Sequence, residues 1–175
     1  MFIERMAGQD YIDQARKYLN YLEEHLNNVK RAFQEVSEAC KDMWWVSDDY
    51  LWHTFRSEVE WHDVSKFSQH EFTQYADKFF PTKHEPMEWH DNGFDKAWEH
   101  HKKHNRHHHE TAMMSLDIVH MVIDWTAMGY KFNDTAKEYY EKNKDKINLS
   151  KEHKKFLYEI FDRLSDVKPD STVGE

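Results

Sequence analysis

The sequence predicts an all-α protein, a bundle of about six to seven helices. Three observations carry that prediction. Only 4 Gly and 3 Pro punctuate 175 residues, so there are few places where a helix must break. Apolar residues recur at three- and four-residue spacing in long runs separated by short polar stretches, the periodicity of amphipathic helices. Aromatic residues make up 15% of the chain, with 7 Trp among them, enough large rings for a bulky core.

The length fits a single domain, 1–175, with a core over about 11–165 and a polar tail at 168–175. With 33 acidic and 24 basic residues the formal net charge is −9. That opposes a broad basic face for duplex DNA and leaves room for a local basic pocket. The single cysteine, Cys40, has no internal disulfide partner, fits a reducing compartment and is expected as a buried thiol. No stretch of about 18 apolar residues and no signal-peptide pattern occurs, so the expectation is a soluble, cytoplasmic protein with no membrane association and an open oligomeric state.

Taken in order, residues 1–8 read as a leader. A long helix is predicted over about 11–40, with Tyr18, Leu22, Leu26, Val29, Phe33 and Val36 as its buried stripe. His25 falls on or beside that stripe, where it is either a core histidine bonded to a neighbour or a ligand. The second helix, 48–61, is capped by Ser47 or Asp48 and buries Leu51, Phe55 and Val59. Ser68-Gln69-His70-Glu71 reads as a capping box opening a third helix that ends at Pro81. Glu71 either caps that helix or supports the residues before it.

Residues 81–93, with Pro81, Pro86, Asn92 and Gly93, are expected to form a loop. A helix follows over about 94–105. Six of the 14 histidines, His100, His101, His104, His107, His108 and His109, fall within ten residues here. On a continuous helix His101, His104 and His108 share one face, and His100, His104 and His107 an adjacent one. The plain alternative is a solvated surface helix, given Lys102, Lys103 and Arg106.

Residues 110–128 are apolar almost all round, the mark of a central helix. Its exceptions, Asp117, His120 and Asp124, lie within roughly 60° of one another. Such a stripe is costly on a buried helix unless its members are paired or bind metal. Gly129 is expected as the C-cap. Helices over 134–146 and 150–164 complete the bundle.

The stretch Trp61-His62-Asp63-Val64-Ser65-Lys66-Phe67 places an imidazole and a carboxylate side by side, donors suited to one borderline metal ion. The dipeptide alone is common. Its weight comes from His25 upstream and the histidines and Asp124 downstream, all on or beside predicted helices.

This order, His25, then His62-Asp63, then Asp124, resembles the HD superfamily of metal-dependent phosphohydrolases, over about residues 18–130. His62-Asp63-Val64-Ser65-Lys66 is similar to the His-Asp-x-x-Lys form common in that superfamily. The pieces Tyr21-Leu22-x-x-His25, His62-Asp63-x-Ser65-Lys66-Phe67, Ala97-Trp98-x-x-His101, Asn105-x-His107-His108 and Asp124-Trp125-x-Ala127-Met128 also resemble a small uncharacterised branch found in phages and bacteria. The resemblance implies an HD-domain-like bundle and one or two divalent transition-metal ions (Mn, Fe, Co, Ni or Zn). It places His25, His62, Asp63 and Asp124 around the first ion. His101, His107 and His108 are candidates for a second, sharing Asp63. Two departures stand out. The glycines and prolines that follow the inserted histidines in cyclic-dinucleotide phosphodiesterases are missing, and His120 stands where the small branch suggests a carboxylate.

The implied chemistry is hydrolysis of a nucleotide or other small phosphoester by metal-activated water. A metal with an open position brings the pKa of bound water towards about 7. Asp63, Lys66, Glu71 and Asp117 are the candidate catalytic residues, with Glu71 and Asp117 orienting imidazoles or water. Lys66, Lys102 and Arg106 are the candidate phosphate contacts. The rival classes are an HD-fold di-iron oxygenase using the same ligand set, and a non-catalytic nucleotide- or partner-binding scaffold.

Overall fold

A computed structural model describes residues 7–83, 92–111 and 114–166. The fold is all-α. The described residues form α1 (Ala7–Ala39), α2 (Trp44–Ser47), α3 (Asp49–Glu60), a 3-10 turn (Val64–Phe67), α4 (Phe72–Phe79), α5 (Gly93–His104), α6 (Ser115–Phe132), α7 (Ala136–Asn143) and α8 (Lys151–Asp166), with no strand among them. No helix among them is long and apolar enough to cross a membrane.

The chain divides into two compact units, Met1–Leu26 with His62–Asn105 and Asn27–Trp61 with Arg106–Glu175. The first has an aromatic core. Tyr18 and Leu22 of α1, Tyr75 and Ala76 of α4, and Ala97 of α5 are buried, flanked by Tyr21, Phe72, Phe80, Phe94 and Trp98. The second is larger. Val29, Phe33 and Val36 of α1 pack with Trp45, Phe55 and Val59, with most of α6, and with Leu157, Ile160 and Phe161 of α8. Cys40 lies in this core, and burial pushes its thiol up to about 11.

The expected apolar stripes are the buried ones, apart from the half-buried Leu26 and Leu51. Helix ends differ in several places. Helix α1 starts at Ala7, inside the stretch read as a leader. Asp48 does cap α3, accepting from Leu51 N at 2.9 Å, but α2 precedes it. The capping box at Ser68–Glu71 does not form, because the Glu71 side chain turns inward and leaves the helix end uncapped by a side chain. Helix α4 stops at Phe79. Residues 1–6 of the expected leader, 84–91 of the expected loop, 112–113 of the expected central helix and 168–175 of the expected tail lie outside the described residues.

Helix α5 ends at His104, so His107, His108 and His109 share no helical face with His101. Asn105 is the reason. Its backbone N–H and its Nδ2 both bond the His101 carbonyl, at 3.0 and 2.8 Å, and close the last turn.

Helix α6 starts at Ser115 and runs through Gly129 to Phe132, with Asn133 as its left-handed cap at φ 54°. Gly129 is needed for space. A Cβ there would meet the Asp134 carbonyl oxygen at 2.2 Å. Inside a helix Gly→Ala ordinarily gains about 1 kcal/mol. Here Gly129→Ala is expected to destabilise by about 1–3 kcal/mol, read as a lower urea midpoint at unchanged slope. A higher midpoint would contradict the close approach. Helix α7 is opened by a capping box between Thr135 and Glu138.

Candidate metal centre

Three segments of the first unit converge on Asp63. His25 comes from the buried face of α1, His62-Asp63 from the junction before the 3-10 turn, and His101 from α5. All four are buried, as is Glu71, which is fully enclosed. Asp63 is one of three non-glycine residues with positive φ among the described residues, at 58°. Aspartate tolerates this left-handed conformation better than most side chains. The reversal puts consecutive imidazole and carboxylate groups into one cluster.

His25 Nε2 lies 3.0 Å from His62 Nε2 and 3.2 Å from Asp63 Oδ2, while His62 Nε2 lies 3.4 Å from the same oxygen. These three atoms form a group able to hold a metal ion. With metal–ligand bonds of about 2.0–2.1 Å, neighbouring ligand atoms are about 3.0 Å apart in an octahedral site and about 3.3 Å apart in a tetrahedral one. The observed edges match those values, and the buried two-nitrogen, one-oxygen donor set suits a divalent transition metal.

The other oxygen of Asp63 faces a different imidazole. His101 Nε2 is 3.2 Å from Oδ1. His101 Nδ1 is held by Glu71 Oε2 at 2.9 Å. The same oxygen accepts from Ser65 Oγ at 3.0 Å, and Asn105 Nδ2 donates to Ser65 Oγ at 2.8 Å. Glu71 Oε1 accepts from His100 Nδ1 at 2.6 Å. This is the support that ligating imidazoles usually have: a carboxylate fixes Nδ1–H and leaves Nε2 for the metal. Burial by itself lowers the His101 pKa, but bonds to Asp63 and Glu71 outweigh it and raise it. Burial also works to raise Glu71, and bonds from His101, His100 and Ser65 outweigh that and lower it.

Lys66 Nζ reaches Asp63 Oδ2 at 2.5 Å and lies 5.5 Å from the centre of the Tyr75 ring. The expected phosphate contact is therefore engaged with the central carboxylate. Aromatic rings enclose the imidazoles. Trp98 stacks on His101 at 5.7 Å, Tyr75 meets His101 edge-on at 5.9 Å, and Tyr21 lies parallel to His25 at 6.4 Å. The buried hydroxyls of Tyr18 and Tyr75 have no hydrogen-bond partner among the described residues. Burial first, and nearby Asp63 and Glu71 after it, push both phenols up.

The first unit thus brings together His25, His62, Asp63, Lys66, Glu71 and His101. Lys102, on the same helix as His101, is paired with Glu99 at 2.7 Å and lies over Trp98. Arg106, His107, His108, Asp117 and Asp124 belong to the second unit. There Arg106 Nη2 binds Asp117 Oδ2 at 2.9 Å, and the same oxygen accepts from Met114 N at 2.6 Å. Asp117 so caps α6 and holds Arg106. The rings of His107 and His120 face each other at 4.9 Å, both buried, with His108 4.4 Å from His107. His120 sets its ring edge-on to Phe55. Asp124 follows one turn after His120 and is half-buried.

Sequence reasoning missed Ser65, His100 and Asn105 as supports of the centre. Ser65 lay within the quoted His-Asp motif, and Asn105 sat at a helix end rich in ligand-type residues.

Residues 14–163 match a family of proteins of unknown function, DUF5662. The chain belongs to the DUF5662 family. No curated protein and no solved structure matches this DUF5662 chain. The match covers every residue of the cluster around Asp63.

Proposed function

We propose that this protein is a cytoplasmic metal-dependent phosphohydrolase of the HD type, acting on a nucleotide or other small phosphoester. One observation carries the reading: His25 Nε2, His62 Nε2 and Asp63 Oδ2 converge with mutual distances of 3.0–3.4 Å in a buried site. That convergence agrees with the His…His-Asp order and gives three donors for one ion. Asp63 adds a second oxygen directed at His101, so Asp63 and His101 would be donors for a second ion.

A bound transition metal would supply Lewis acidity and a lowered pKa for water. The chain's own groups do the rest. Glu71 fixes the His101 ring and its tautomer. Lys66 carries a positive charge beside Asp63, suited to balancing a phosphoryl group that approaches the centre. Trp98, Tyr75 and Tyr21 limit water around the imidazoles, which strengthens electrostatic interactions there.

Protein loaded with manganese or cobalt is expected to release phosphate or a nucleoside from a panel of nucleotides, and a chelator should stop it. No release from any nucleotide or model phosphoester with manganese, iron, cobalt, nickel or zinc would overturn the proposal. Imidazoles on both oxygens of Asp63 also suit a di-iron oxygenase. Anaerobic iron loading separates the two, since only the oxygenase should show a coupled di-iron signal and substrate-dependent oxygen uptake.

A further inference from the structure

We propose that His100 and His104 form a second, solvent-facing binding site for a transition-metal cation, distinct from the buried cluster. The two residues stand one turn apart on α5, so their side chains leave the same face. Their rings stack with centroids 4.0 Å apart and an interplanar angle of 25°.

The decisive feature is what holds each Nδ1. His100 Nδ1–H donates to Glu71 Oε1 at 2.6 Å. His104 Nδ1–H donates to the His100 carbonyl at 2.8 Å. A carboxylate and a backbone carbonyl are the two usual outer partners of metal-binding imidazoles. They fix the tautomer, so the lone pair of each ring resides on Nε2. Neither Nε2 has a protein partner among the described residues. The helix spacing therefore places two nitrogen donors on one exposed face, and rotation of the stacked rings would turn both towards one ion, with water filling the remaining positions. His70, before α4, stacks on His100 from 4.8 Å and has no ring contact with His104, so His100 is the middle ring of three.

Imidazole donors select copper, nickel, zinc or cobalt over magnesium or calcium, with Cu²⁺ the tightest divalent binder. Glu71 orients His100 through one oxygen and His101 through the other. The surface pair thus shares its supporting carboxylate with the buried cluster. The site stands whether or not that cluster catalyses hydrolysis.

The test is titration of the full-length chain with Cu²⁺ alone, followed by equilibrium dialysis and electron paramagnetic resonance. Besides any copper at the buried cluster, the wild type should bind one equivalent that persists in His25→Ala and whose nitrogen hyperfine pattern there reports two imidazoles. His104→Ala, at an exposed position where folding is undisturbed, should weaken that equivalent by about tenfold or more and reduce the pattern to fewer nitrogens. His25→Ala, which alters the buried cluster, should keep it. Unchanged stoichiometry, affinity and nitrogen pattern in His104→Ala would overturn the proposal. So would loss of all bound copper in His25→Ala.

Discussion

Asp63→Asn is expected to abolish metal binding at the buried centre and to lower any phosphohydrolase activity by at least about 10²–10³-fold. The substitution is close to isosteric, and asparagine tolerates the left-handed backbone at φ 58°. Its effect therefore reports charge more than fold. The two oxygens of Asp63 face three imidazoles, His25 and His62 on Oδ2 and His101 on Oδ1. Neutralising it also leaves the Lys66 ammonium without its closest counter-charge. Elemental analysis after metal loading, beside circular dichroism, is the measurement. Wild-type metal content in a folded Asp63→Asn protein would remove Asp63 from the centre.

Glu71→Gln is expected to weaken metal binding by about 10–100-fold and to destabilise the protein by about 3 kcal/mol. Glu71 is fully buried and accepts bonds from His100, His101 and Ser65, so the amide strands the donors on one oxygen and removes the charge assistance from the rest. The metal-free protein also gives a pH signature. Glu71 is held below its ordinary value of 4.5, so its contribution is present above that value and is lost as pH falls through the lowered pKa. His101 is raised above 6.5, so its contribution is full below that value and is lost as pH rises through the raised pKa. The pair stabilises most between 4.5 and 6.5. Thermal unfolding against pH should show the wild type exceeding Glu71→Gln by most in that window. A difference independent of pH would indicate that packing, not the ion pair, sets the cost.

The helices were legible because their apolar periodicity is long and rarely interrupted. His25 could be picked out for the same reason: it lies where α1 turns inward. His62-Asp63 needed the motif, and its geometry depends on a backbone reversal that no periodicity announces. Glu71 was ambiguous because Ser68 and Glu71 have capping-box spacing. The buried imidazoles of α5 outcompete a helix N-terminus for its carboxylate, since a charge-assisted bond in a dry site is worth more than a cap at a wet one.

The expected end of α5 near Asn105 agrees with the structure, whereas a helix continued to His108 does not form. Asn105 folds back on the His101 carbonyl, and that local bond decides which histidines share a face. Gly129 misled in a related way. A glycine near a helix end suggests a left-handed cap, yet here it makes room for the next segment's backbone. Both outcomes depend on atoms brought close by folding, and residue type alone carries neither. Asp117 was read as a catalytic candidate, and its bonds to Met114 N and Arg106 give it an architectural task on α6.

The chain leaves the first unit after Leu26, returns at His62 and departs again after Asn105. This weaving has a consequence for synthesis. A nascent chain that has exposed His25 still lacks Asp63, and one that has exposed Asp63 still lacks His101. The centre can close only after the ribosome has released the chain through α5, well after the first helix is available to form. Until then His25 sits on a helix with an unfinished partner surface. Cutting the gene at any single point would yield no fragment holding the whole centre without also carrying 27–61. That segment shares its core with α6 and α8, so a chain cut after Asn105 is expected to lose metal retention even though it carries every residue of the centre.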